Sequence, residues 1–384
     1  MPVVSYESVT VVLMNPAQDT PSQIPIESSP APITARAVEK SADAVERRFA
    51  RLPDSQYAEW DEFVLNCERG SAFQTIWWYR AWGTEPVVQV LRNSQGEIEA
   101  GICYALGRRW GTSAMVRPPC TAGNGPVFLN AKGQGRYKEI THAKQMTLMA
   151  IHSLPRLGLY DMRLRPADQD LMPFLWNGFE THVGYTYVIP AAEKDSWMDG
   201  AAKSTRKELR RAAREVEEQG YRIEEGPDPA EMLPLIQDTV DFKQFRIERL
   251  RERFANWWNA LRDHKVGRGY LLRDRDGRPM ATDVLIYDRR RAYSVLGGIR
   301  ADLRKDSRVG TILLDRMIRD AHQMGLDFDF EGSALPGVER FMRSFGGELQ
   351  PMCRVIKIRS PLAWIMWQTY RYFTQHRRSW VWHD

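Results

Sequence analysis

With 384 residues the chain exceeds one ordinary domain and suits two, each large enough for its own core. Hydrophobic residues at 43% and charged residues at 27% describe a soluble globular protein. The formal charge of +5 and a pI near 9.0 suit an acidic small molecule, a phosphorylated carrier, nucleic acid or an anionic membrane face, and select none of them.

Residues 1–45, which include "NPAQDTPSQIPIESSPAPIT", hold no sustained period and read as a flexible, disordered leader. Order is expected from "VERRFARLP" onward. "SQYAEWDEFVLNCERG" then reads as a helix with Trp60, Phe63, Val64 and Cys67 at helical spacing, and "SAFQTIWWYRAWG" as a short second helix ending on Gly83. At Pro86 the period changes to two, giving a pair of strands joined by a turn at Ser94–Gly96. A helix over "YKEITHAKQMTLMAIHSLPRLG" and the strands "LYDMRLRP" and "YTYVIP" complete the first half.

The second half repeats this order. "STRKELRRAAREVEEQG" is a helix closed by Gly220, "YRIEEG" a short strand, and "PAEMLPLIQDTVDFKQF" and "ERFANWWNALRDH" are helices. Three antiparallel strands follow, the first two joined at Asp276-Gly277. After the helix "VGTILLDRMIRDAHQMG" comes "LDFDFEGSALPGVERFMRSFGGE". Its alternation places Leu326, Phe328 and Phe330 on one strand face and Asp327, Asp329 and Glu331 on the other. Gly332 permits an abrupt turn, Ser333 is placed to cap the next helix, and that helix buries Val338, Phe341, Met342 and Phe345. The repetition predicts two copies of one mixed α/β fold: a leader at 1–45, domains at 46–192 and 193–358, and an aromatic, basic tail at 359–384.

The segments "STRKELRRAAREVEEQG", "GRPMATDVLIY", "GTILLDRMIRDAHQMG" and "FDFEGSALPGVERFMRSFGGE" resemble the FemAB-like proteins of the GNAT acyltransferase superfamily, over about residues 47–358. The resemblance implies two tandem GNAT-like folds, each with a mostly antiparallel central sheet flanked by helices. It also implies N-acyl transfer from an activated donor (acyl-CoA, acyl-carrier protein or aminoacyl-tRNA) to an amine of a bacterial cell-envelope, polysaccharide or peptide precursor.

GNAT enzymes hold a pyrophosphate on the backbone N–H groups of a glycine-containing loop that opens a helix. On that pattern Lys305 takes the basic position and Gly310 the second glycine, with Val309 and Thr311 beside them, while Arg308 stands where the first glycine belongs. An ordinary helix start is the alternative. Asp329 and Glu331 are the candidate catalytic acids, able to take a proton from an ammonium nucleophile; the alternative is an ion pair with one of the many arginines. The working cleft is assigned to the second fold, because "LYDMRLRP" offers only Asp161. Lys203, Arg206, Lys207 and Arg210 line the helix before the second fold, with Leu209, Ala213 and Val216 on its apolar stripe. They read either as a solvated face or, with Ser333, as the site for an acidic part of substrate.

A tRNA-specific donor and a non-catalytic binding module remain open; the absence of a long basic stripe counts against the first, and Arg308 favours the second. The four cysteines and seven histidines show no metal-ligand spacing, so no metal is expected, and "GNGP" is not a dinucleotide fingerprint. No run approaches the roughly 18 apolar residues of a spanning helix, and the N-terminus lacks a secretory layout. A cytoplasmic location is expected, at the inner face of the membrane if the tail binds lipid. In that tail Leu362, Ile365, Met366, Thr369 and Phe373 form a helical stripe flanked by Trp364 and Trp367, fit to pack over the second fold or to lie on an anionic membrane.

Overall fold

The computed structural model describes residues 48–376, apart from 166–169, 244–246, 248, 305–306 and 334. The expected leader lies outside the described residues. The strands in chain order are β1 (Ala50–Arg51), β2 (Pro86–Arg92), β3 (Ile98–Arg109), β4 (Thr112–Val116), β5 (Val127–Phe128), β6 (Leu159–Arg163), β7 (Glu180–Ile189), β8 (Arg222–Glu225), β9 (Gly267–Arg273), β10 (Pro279–Tyr287), β11 (Arg291–Ser294), β12 (Gly298–Ile299), β13 (Asp327–Asp329) and β14 (Glu348–Ile358). The helices are α1 (Tyr57–Asn66), α2 (Ile76–Ala81), α3 (Arg136–Ser153), α4 (Met172–Trp176), α5 (Trp197–Gly200), α6 (Lys203–Glu218), α7 (Pro229–Phe242), α8 (Leu250–Asp263), α9 (Ser307–Gln323), α10 (Pro336–Arg343) and α11 (Pro361–His376).

All the strands join one sheet in the order β1-β2-β3-β4-β6-β14-β7-β13-β11-β10-β9-β8, with β5 on β3 and β12 on β10. Neighbours are antiparallel except β4–β6 and β11–β13, which are parallel. This is the mixed α/β class the repeated element order predicts. The arrangement at the centre is not readable from that order. β7, which ends the first half, lies beside β13 of the second, and β14, which ends the second half, lies beside β6 of the first. The two halves have exchanged their closing strands.

One face of the sheet is covered by α1 and α2 from the first half together with α7 and α8 from the second, in a single aromatic core. Trp78 meets Trp257 edge-on at 5.9 Å and Trp82 meets it at 5.6 Å, so the halves are locked through helices as well as strands. Trp60 on α1 approaches β3 so closely that a Cβ on Gly101 would sit 2.2 Å from its ring. On the opposite face the first half is covered by α3 and α4 and the second by α6, α9 and α10. The apolar positions of α9, Val309, Ile312, Leu313, Met317, Ile318 and Ala321, recur every three to four residues and are all buried there with Phe328 and Phe330. On α6 Thr205, Leu209 and Ala212 are buried, and Val216 packs partly buried against the same core.

The tail forms α11, but it does not rest on the second fold. Ala363 and Trp367 pack on Ala114, Leu159 and Ile356, across β4, β6 and β14 of the first half's sheet. The strand exchange explains this, since α11 follows β14 into the first half. Among the described residues no helix is long and apolar enough to cross a membrane.

Candidate active site

β11 and β13 run parallel for three residues, from Arg291 opposite Asp327 to Tyr293 opposite Asp329, and then part. Beyond Ser294 the chain bulges: Val295 N–H donates to Val284 O at 3.0 Å and Val284 N–H to Leu296 O at 3.2 Å. The chain then continues as β12 on β10. Beyond Asp329 it turns the other way, Phe330 N–H donating to Tyr187 O on β7 at 3.1 Å. Two neighbouring strands thus diverge at the middle of the sheet, beside the first turn of α9, where a Cβ on Gly310 would just touch Ile299 and Phe341, at 3.6 and 3.7 Å.

The acids lie on the far side of the sheet from α9. Asp329 is fully buried and accepts from Thr186 Oγ1 at 2.5 Å, Arg291 Nη1 at 2.9 Å and the Glu331 N–H at 2.8 Å. Burial pushes its carboxyl up, against the pull of Arg291 and Thr186. Its oxygens are engaged by the fold, which suits a residue that positions others. Glu331 is different. Its side chain is 14% exposed and its carboxylate meets Arg163 Nη1 at 3.2 Å. Burial raises its carboxyl to about 7, with Arg163 pulling it down and Asp329 pushing it further up.

The backbone here is unusual. Glu331 has φ 61° and Gly332 φ 67°, two successive left-handed residues after a strand. A Cβ on Gly332 would sit 2.2 Å from Tyr185 O, so only glycine permits this turn. Ser333 does not cap α10. Its Oγ accepts from the N–H of Leu335, the residue just before the helix, at 3.2 Å, and Pro336 with its fixed φ sets the start instead.

The first half carries a counterpart acid that sequence reasoning undervalued. β7 and β14 pair antiparallel with Val188 opposite Glu348 and Glu180 opposite Ile356, which relates the halves by an approximate twofold axis. Asp329 stands opposite Val188 and Asp161 opposite Ile356, so the axis carries one acid onto the other. Asp161 is held by Arg354 at 2.7 and 2.5 Å. Burial disfavours its charge, but Arg354, Arg117 and Arg109 outweigh this and keep the carboxyl well below the usual range. The parting of β4 from β6 is also closed: Asn124 N–H donates to Arg163 O at 2.9 Å and Arg163 N–H to Asn124 Oδ1 at 2.8 Å.

At the start of α9, Val309 and Thr311 are buried, so they could serve a donor only through their backbone. Arg308, in the place of a glycine, pairs its guanidinium with Glu215 on α6 at 2.6 Å. The first-turn N–H groups and the positive end of the dipole are what this helix offers a phosphate. Lys305 lies outside the described residues. On α6, Lys203, Lys207 and Arg210 are exposed, and Arg206 donates to Asp199 O at 2.8 Å. Asp283 on β10 was not singled out by sequence reasoning, although an acid inside the apolar run "MATDVLIY" is a signal. It sits at the bulge, with Ser294 Oγ donating at 3.1 Å, and burial raises its carboxyl to about 7. A Cβ on Gly297 would lie 2.8 Å from its carboxylate. Among the described residues no group of three metal-binding side chains is assembled.

Residues 203–343 match the family described as Acetyltransferase (GNAT) domain, a span that runs from α6 through the parting strands to α10. The chain carries a GNAT acyltransferase domain. It is therefore an enzyme of the acyltransferase class. Its fold is similar to that of a solved FemX, with a TM-score of 0.59 over 83% of this chain and 99% of that one, at 13% identity. It is also similar to L-PGS from Bacillus licheniformis, with a TM-score of 0.52 over 83% of this chain and 96% of that one, at 12% identity. No curated protein matches the chain in sequence.

Proposed function

We propose that this enzyme transfers an acyl or aminoacyl group from an activated thioester or ester to an amine on an anionic cell-envelope, polysaccharide or peptide precursor. The supporting observation is the divergence of β11 from β13 between the N-terminus of α9 on one face and Glu331 on the other. A donor held by its phosphates at α9 would reach through the parted strands, and the amine would approach from the side of Glu331. Donor and acceptor then enter from opposite faces, and much of the rate comes from holding carbonyl and amine together.

Glu331 serves as general base, because a carboxyl near 7 is half-ionised at neutral pH and can accept the ammonium proton. Asp329 and Arg291 hold the turn that presents it. The exposed Lys203, Lys207 and Arg210 of α6 support an anionic substrate, and their clustering keeps an aminoacyl-tRNA donor as a second reading. The test is CoA release from acetyl-CoA with a panel of amines, run beside charged tRNA with and without ribonuclease. Turnover with acetyl-CoA that ribonuclease leaves intact supports the thioester route, turnover abolished by ribonuclease supports tRNA, and no transfer from either donor rejects both.

A further inference from the structure

We propose that the outward face of α11 docks on an anionic lipid surface. Leu362, Ile365 and Met366 lie at i, i+3 and i+4, and they are 56%, 56% and 43% exposed. The helix is held to the sheet by a different side, through Ala363 and Trp367. Trp364, half exposed, flanks the packed side. The apolar stripe that helical spacing reveals in the sequence therefore faces outward. A surface helix of this kind normally carries polar residues there, and a continuous line of large apolar side chains marks an interaction face.

Charge identifies the partner. Between Glu348 and Asp384 the sequence has no Asp or Glu but contains Arg354, Lys357, Arg359, Arg371, Arg377 and Arg378. Arg354 is used internally by Asp161, whereas Arg359 is exposed. Arg359 N–H donates to Gly158 O, two residues from the exposed Arg156. The guanidinium of Arg108 donates to Gly111 O, and a Cβ on Gly111 would lie 3.4 Å from Leu362. The apolar line is thus bordered by cations. A second copy of the chain would bring the same cationic border against this one and be repelled. A bilayer with anionic headgroups accepts the apolar line and answers its rim, with tryptophan at headgroup depth.

This surface is independent of the chemistry at Glu331, so each can fail alone. The test is flotation of the full chain with vesicles of phosphatidylcholine alone and with equimolar phosphatidylcholine and phosphatidylglycerol, at low and high salt. The chain should float with the anionic vesicles, and salt should weaken this. The variant Ile365→Asp, Met366→Asp should lose about tenfold in partitioning, and Arg359→Ala about fivefold. Both should keep the wild-type melting temperature. Failure of the wild type to float with anionic vesicles overturns the proposal, as does undiminished flotation of the double variant. A dimer that the double variant abolishes, without vesicle binding by the wild type, assigns the face to a second copy and overturns it equally.

Discussion

Glu331 and Arg163 form an ion pair at 3.2 Å although they occupy corresponding places, each two residues past the buried acid of its own half. They therefore meet near the axis that relates the halves. One fold supplies the candidate base and the other supplies the cation that tunes it, a division of labour that two independent domains could not achieve.

Glu331→Gln removes the proposed base and keeps its shape. Turnover should fall by about 10²-fold or more. The rising limb of the pH–rate profile, expected near pH 7 in the wild type from the raised carboxyl, should disappear with it. Initial rates of amine acylation from pH 5.5 to 9 check both, and a variant with full turnover removes Glu331 from the mechanism.

Arg163→Gln tests the tuning. Arg163 pulls the Glu331 carboxyl down, so its loss should move that rising limb to higher pH. A residue that merely braces the fold would lower the rate without moving the limb, and the same pH series separates the two.

Stability should carry the opposite sign from activity. The Glu331 carboxyl titrates near 7 in the fold against roughly 4.3 in an unfolded chain. The fold prefers it protonated, so its contribution is complete below the unfolded value and is lost as pH rises through the folded one. Glu331→Gln should match the wild type near pH 4 and exceed it at pH 8, by on the order of 3 kcal/mol. Urea unfolding at the two pH values measures this.

Gly332→Ala should be costly for two reasons, a left-handed φ of 67° and a Cβ 2.2 Å from Tyr185 O. A loss of about 2 kcal/mol or more is expected in thermal or urea unfolding. Activity should fall as well, because the carboxylate next to it would be re-aimed.

Element type was legible in the sequence because period carries it: the alternation that buries Leu326, Phe328 and Phe330 in one core and the spacing along α9 both survive in the structure, although the strand ends before Glu331. Edge choice was not, because nothing in "YTYVIP" says that it will pair with a strand about 140 residues later rather than with its own half. Facing was half legible. Spacing revealed an apolar stripe on α11, but the packed side is a small alanine, one tryptophan and a half-buried tyrosine, Tyr370, which no hydrophobicity pattern ranks above three large apolar side chains. For the candidate site, the sequence singled out both acids, and their different surroundings came only with the partners: Asp329 held by Thr186 and Arg291, Glu331 paired with Arg163 at 3.2 Å. Asp283 was passed over because its bulge forms only when β12 returns to β10.

The traded closing strands also set a timetable for synthesis. β6 gains β14 as its neighbour only when the last part of the chain has left the ribosome, so the N-terminal portion must wait with an unpaired edge while everything after it is translated. Cutting the gene between its repeats would hand each fragment the other's strand, and the pieces should regain shape only when made together.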